Sequence, residues 1–182
     1  MYGLINNALQ SMVVTYHDEG TWKRIHAQSG VAEDVFLTMR RYDDESTFLL
    51  VEAASDVLGA PIDDCLVMFG EYWVKQIATK NFQTLMDTTG TNTVSFLQNL
   101  NALHDRITST FLDYVPPEFR IDSLGEDRYQ VHYYSQRTGL TPFVTGLLQG
   151  LAEHFGDELQ MISLSTESIG EGVHSVYEPT IR

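Results

Sequence analysis

Apolar side chains recur at steps of three and four over residues 3–16, where Leu4, Ile5, Ala8, Leu9, Met12 and Val13 share one side of a predicted helix. Asp18-Glu19-Gly20 reads as a turn before TWKRIHAQ, a short second helix with Thr21 as cap and Gly30 as stop. VFLTMRRYDDEST reads as a charged connection. Ser46 or Thr47 then caps a helix through FLLVEAASDVLG, with Gly59 in the left-handed position past its end and Pro61 opening the next helix. The run IDDCLVMFGEYWVKQIAT is mostly apolar and free of proline, so it predicts a buried helix that must accommodate Gly70.

TNTVSFLQNLNALHDRITSTF sets Leu97, Leu100, His104, Ile107 and Phe111 in a single stripe down one helix face. Pro116 and Pro117 remove two backbone donors and end that helix. Beyond them the apolar period changes from 3.6 to 2. EFRIDSL and RYQVHYYSQR predict strands joined through Gly125-Glu126-Asp127. PFVTGLLQGLAEHF restores a helix, and LQMISLS and GVHSVYEP close with two more strands. Helices first, then a sheet holding one further helix, give an α+β class.

Composition narrows the function. With 182 residues and 43% hydrophobic side chains, the chain suits one domain over 1–182 with a substantial core. Eleven Lys and Arg against 25 Asp and Glu leave a net charge of -14, which argues against nucleic acid as a partner. The opening MYGLINNALQ has no signal-peptide pattern, and no window approaches the ~18 consecutive apolar residues of a spanning helix, so the expectation is a cytoplasmic protein with no membrane partner. A single Cys65 makes neither an intramolecular disulfide nor a Cys-based zinc site and reads as a small apolar residue. Asp43-Asp44-Glu45, Glu153, Asp157 and Glu158 read as solvated faces or a partner surface. His17, His26, His132, His154 and His174 lack the mutual spacing of a metal site.

Two features carry chemistry. An imidazole on an apolar helix stripe, as at His104, has either a hydrogen-bonding neighbour in the core or a metal to ligate. In VHYYSQR, side-chain alternation sends Tyr133, Ser135 and Arg137 to one face and His132 and Tyr134 to the other. A phenol, a hydroxyl and a guanidinium two residues apart form a donor row for carboxylates. An axial imidazole and a dicarboxylate row together meet the two needs of a haem, iron ligation at its centre and propionate anchoring at its rim.

The order of MYGL, FGEYW, FLQNLNALHD, the proline pair and HYYSQRTGL resembles the haem nitric oxide/oxygen binding (H-NOX) family, which includes the haem domain of the soluble guanylate cyclase β subunit. The resemblance spans nearly the whole chain and looks most like a stand-alone bacterial member. It implies an H-NOX fold in which a distal helical subdomain, about 1–60, faces a helix-and-sheet subdomain, about 61–182, around non-covalent haem b. His104 then matches the proximal iron ligand, with Leu100 one turn before it, and Tyr133, Ser135 and Arg137 match the propionate motif. Pro117 and Ile5 match residues that press on the porphyrin and distort it. Leu4, Ile5, Trp73 and Phe143 form the distal set. Gly70 either lets the haem approach or serves helix packing. The zinc-binding cysteine cluster of some relatives is not expected here.

The same likeness bears on the gas. O2-binding relatives carry a distal tyrosine where this chain has Phe143, so NO and CO binding without a stable O2 complex is expected. Trp73 either fills the gas pocket or offers its indole N–H. NO opposite His104 would weaken the iron–His104 bond and free its helix, signalling to a separate histidine kinase or cyclic-di-GMP enzyme. No catalytic activity is expected. The alternatives are a haem enzyme or NO scavenger, which needs a distal acid or base, a passive haem carrier, and an O2-binding sensor.

Overall fold

The computed structural model describes residues 1–109 and 114–182, so Phe111 of the helix stripe falls outside the described residues. The N-terminal part is helical: α1 (Gly3–Tyr16), α2 (Glu19–Ser29) and α3 (Asp44–Leu58). Two caps differ from expectation. Asp18, rather than Thr21, caps α2, because its carboxylate reaches the Thr21 amide at 2.6 Å. Helix α3 starts ahead of Ser46 and Thr47, and the Thr47 hydroxyl is buried, donating to Asn6 Oδ1 at 2.7 Å instead of capping. Gly30 and Gly59 do hold the left-handed conformation past α2 and α3, at φ 68° and 66°.

The long apolar run is α4 (Ile62–Tyr72), which widens into a π-helical stretch over Trp73–Ala78 and closes as α5 (Thr79–Asn81). The predicted helix ends at Thr79, and beyond it lies α6 (Gln83–Thr89), a seven-residue helix whose one buried large apolar side chain, Met86, gives it little apolar periodicity. Helix α7 (Thr93–Thr108) begins in a capping box: the Asn92 side chain accepts the Ser95 amide at 2.8 Å, and the Ser95 hydroxyl accepts the Asn92 amide at 3.2 Å.

Strands β1 (Glu118–Gly125), β2 (Arg128–Ser135), β3 (Leu159–Ile169) and β4 (Gly172–Ile181) form one antiparallel sheet in the order β1-β2-β4-β3, and α8 (Thr141–Phe155) lies between β2 and β3 in the chain. Glu126 and Asp127 turn β1 into β2 with positive φ of 49° and 62°, the backbone that matches the twist of a hairpin. Strand β4 alternates, with Val173, Ser175, Tyr177 and Ile181 buried on the core side.

Packing forms two cores. The first joins α1, α2, α3 and α4 around Leu9, Met12, Ile25, Leu50 and Phe69; the second joins α7, the sheet and α8 around Leu97, Val131, Tyr133, Leu148 and Tyr177. Trp73, at the start of the π-helical stretch, packs against both. Glycine lets α4 and α8 cross closely: a Cβ at Gly70 would stand 2.1 Å from the Phe143 carbonyl oxygen, and one at Gly146 would stand 1.9 Å from that of Val67. Helix packing therefore accounts for Gly70.

Candidate functional site

Helix α7 and strands β1 and β2 bring the predicted site together. The Asn101 side chain donates to the Phe119 carbonyl at 2.7 Å and accepts the Phe119 amide at 2.9 Å, pinning the start of β1 to the helix three residues before His104. Phe119 then fills the space between helix and strand, with its ring 6.2 Å from that of His104 and 5.3 Å from that of Tyr133. Tyr114 meets the imidazole edge-on at 6.3 Å. Leu100 and Ile107 continue the stripe against the second core.

Burial holds the His104 pKa below its ordinary value, opposed in part by the nearby Pro117 carbonyl and by Asp105. The imidazole is therefore neutral, and its Nδ1 is buried without a hydrogen-bond partner among the described residues. A neutral imidazole with nitrogen left unspent on an apolar face fits axial ligation of haem iron. Pro117 stands immediately before β1.

Tyr133 is buried, and burial raises its phenol pKa, with Ser135 and Arg137 acting in the opposite sense. Tyr133 and Ser135 share the core-side face of β2, as the alternation predicted. Arg137 does not lie on that strand, which ends at Ser135; the Ser135 hydroxyl accepts the Arg137 amide at 3.0 Å and turns the chain there. Its side chain is held from two directions, Nε donating to Asp44 Oδ2 at 2.7 Å and Nη1 to the Val115 carbonyl at 2.9 Å. Two of the five guanidinium N–H donors are used this way.

Asp44, at the first turn of α3, also takes the terminal amine of Met1. Its burial alone would raise the carboxyl pKa, but the bonds from that amine and from Arg137 outweigh it and hold the group below its ordinary value. The local pattern around Asp44 reads as a solvated face or a partner surface, since nothing near it in the chain ties it to a partner 93 residues away. Asn101, Tyr114 and Phe119 were likewise missed; only the place of Phe119 in the alternation of EFRIDSL hinted at burial.

Ile5, Trp73 and Phe143 are partly buried against the first core, where the rings of Phe143 and Phe69 lie 5.1 Å apart. Leu4 is half-buried at the start of α1, its amide donating to the Thr38 carbonyl at 3.1 Å. The structure thus sets Ile5 and Phe143 against the first core, Leu100 and Tyr133 in the second with His104 beside them through Phe119, and Trp73 against both cores.

Comparison with known proteins places this arrangement. Residues 2–163 match the family model described as haem-NO-binding. Soluble guanylate cyclase gcy-31 of Caenorhabditis elegans is 27% identical over 153 residues, covering 84% of this chain and 22% of that protein. Guanylate cyclase soluble subunit beta-2 of Rattus norvegicus is 30% identical over 117 residues, covering 62% of this chain and 17% of that protein. The chain spans about a fifth of the length of these curated relatives. Among solved structures, an H-NOX protein from S. oneidensis in the Fe(II)NO state superposes with a TM-score of 0.81 at 21% identity, covering 98% of this chain and 99% of that one. An oxygen-binding H-NOX domain related to soluble guanylate cyclases, in its oxygen complex, gives 0.82 at 16% identity, covering 100% and 95%. At these identities the likeness is one of fold.

Proposed function

Given that the chain belongs to the haem-NO-binding (H-NOX) family of haem-binding gas sensors, we propose that it senses nitric oxide, with CO as a second ligand, at non-covalent ferrous haem b. The observation that carries the reading is the neutral His104 imidazole with unspent nitrogen, joined through Phe119 to the buried Tyr133. When bound, haem would supply the iron at which a gas ligand attaches, with His104 as the residue that would hold it.

The rest is done by this chain's own side chains. His104 offers the proximal nitrogen, and Tyr133, Ser135 and the Arg137 N–H groups other than those given to Asp44 and Val115 offer donors to the propionates. Ile5, Pro117 and Leu100 would pack against the bound group, and a change at the α7 imidazole would be passed on as a shift of residues about 1–60 against about 61–182. Arg137 gives the shift a lever, because Asp44 of α3 holds the same guanidinium that serves the propionates. The effector is a separate signalling protein, a histidine kinase or a cyclic-di-GMP enzyme, that binds the two arrangements unequally.

Selection of NO over O2 rests on side chains, because an NO complex and an oxygen complex match the backbone almost equally, at 0.81 and 0.82. The partial negative charge on iron-bound O2 asks for a donor. Leu4, Ile5 and Phe143 have none, and the bulk of Trp73 is packed among the apolar side chains of both cores. The set also lacks the titratable group that a peroxidase or oxygenase needs, which favours sensing over catalysis. Absorption spectra of the purified protein as isolated, reduced, given NO and exposed to air test the reading. A Soret band that shifts with NO and no lasting oxy spectrum in air are expected; a stable oxy spectrum overturns the choice of gas, and failure to take up supplied haem overturns the cofactor.

A further inference from the structure

The face of the sheet turned away from α7 and α8 carries a line of ring and charge contacts that gas sensing does not use. The His132 and His174 rings lie nearly parallel, with centroids 5.2 Å apart, and Tyr134 stacks on His174 at 4.2 Å. His132 Nδ1 lies 3.0 Å from His174 Nε2, and His174 Nδ1 lies 3.0 Å from Glu167 Oε1. At the other end, His132 Nε2 faces two groups of β1, Arg120 Nη2 at 3.2 Å and Asp122 Oδ2 at 3.3 Å, which are themselves paired at 2.8 Å. One line of contacts therefore crosses all four strands. His132 is 8% exposed, whereas Glu167 is 69% exposed.

Donor and acceptor counting fixes the protonation states that this line permits. A carboxylate only accepts, a guanidinium only donates, and a neutral imidazole does one of each. With both rings neutral, the one arrangement that satisfies the Arg120, His174 and Glu167 contacts together runs in a single direction: Arg120 donates to His132, His132 Nδ1–H to His174, and His174 Nδ1–H to Glu167, which leaves the Asp122 contact unused. A single added proton is also satisfied, because Nε2 of His132 changes from accepting from Arg120 to donating to Asp122, already in place beside it. Arg120, 59% exposed, is free to swing into solvent. The charge is then shared between two rings flanked by carboxylates at either end. A second proton has no such place, since it would set two imidazolium N–H groups against each other across the 3.0 Å contact.

We propose that His132 and His174 together form a single-proton acceptor on the outer face of the sheet, which exchanges Arg120 for Asp122 as partner on protonation and tightens the sheet whose strand β2 carries the Tyr133 and Ser135 side chains on the opposite face. The facing charged and titratable groups are Glu118, Arg120 and Asp122 on β1, Tyr134 on β2, Glu167 on β3 and His174 on β4. The next acid along β4, Glu178, is taken up by Gln130 at 2.6 Å and Ser163 at 3.0 Å. Among the described residues no three His, Cys, Asp or Glu side chains are placed to hold one metal ion together, and the two imidazoles face each other at hydrogen-bond distance. Burial, Arg120 and the neighbouring imidazole hold the His132 pKa below its ordinary value, against Asp122, in keeping with refusal of the second proton.

Histidine ring NMR of the full chain, titrated from about pH 8 to about pH 5 across the ordinary imidazole range, reads the proton directly. Both rings should respond at one common midpoint, with a summed change worth one imidazole. Asp122→Asn and Glu167→Gln should each move that midpoint to lower pH, because each removes an acceptor for the charged form. Thermal unfolding gives the second arm: Glu167→Gln binds the proton less tightly than wild type and so loses more stability as pH falls through the imidazole range, and the melting-point gap between the two should widen from about pH 8 to about pH 5. Two independent full titrations, a midpoint unmoved in both variants, or a constant melting-point gap overturns the proposal. Neither arm depends on haem.

Discussion

At the scale of single residues, the site turns on the state of one imidazole. Partial burial lowers the His104 pKa and so favours the neutral ring, and its buried Nδ1 has no hydrogen-bond partner among the described residues, an arrangement that costs free energy unless the ring is used. Removing the ring and leaving a gap separates a ligand from a packing residue. His104→Gly should purify without a Soret band and regain one when free imidazole is supplied with haem; unchanged colour without added imidazole would rule out the ligand role. The sequence shows that His104 sits on an apolar stripe, but the burial of its ring depends on Tyr114 and Phe119, which flank the proline pair and fold back onto α7.

Among the elements, the closest approach is the crossing of α4 and α8, where Gly70 and Gly146 face the opposing backbones. A methyl group at Gly146 would overlap the Val67 carbonyl, and backbone cannot rotate aside as a flexible side chain can, so the helices must part. Gly146→Ala should cost about 1–3 kcal/mol in urea unfolding. A variant as stable as wild type would show that the crossing is looser than drawn. Long amphipathic elements such as α1, α7 and α8 were legible from period alone. The caps of α2 and α3 were not, because several side chains near each boundary have capping chemistry and only the backbone geometry chooses among them. Helix α6 escaped for want of a second buried large side chain, and the π-helical stretch because widening a helix leaves no mark on composition.

For the whole molecule, the Asp44–Arg137 pair ties the first turn of α3 to the turn that follows β2. Both partners are partly exposed, so the pair's worth is discounted to about 1 kcal/mol at neutral pH. The Asp44 pKa lies below its ordinary 3.8, so its contribution is present above that value and is lost as pH falls through the lower folded one. Asp44→Asn should therefore be less stable than wild type at pH 7, and the two should converge near about pH 2. Equal stability at both pH values would remove Asp44 as a tie between the halves of the molecule.

The α+β class, the strand pairing through Glu126-Asp127, the apolar stripe bearing His104 and the row of Tyr133 and Ser135 were all set by residues near one another in the chain, since periodicity and turn chemistry act over a few positions. Contacts across long separations were decided by the fold alone. Arg137 finds Asp44, His132 finds His174, and Phe119 comes to stand between His104 and Tyr133. Local pattern specifies which face a side chain takes, whereas only packing the two cores together specifies what that face meets.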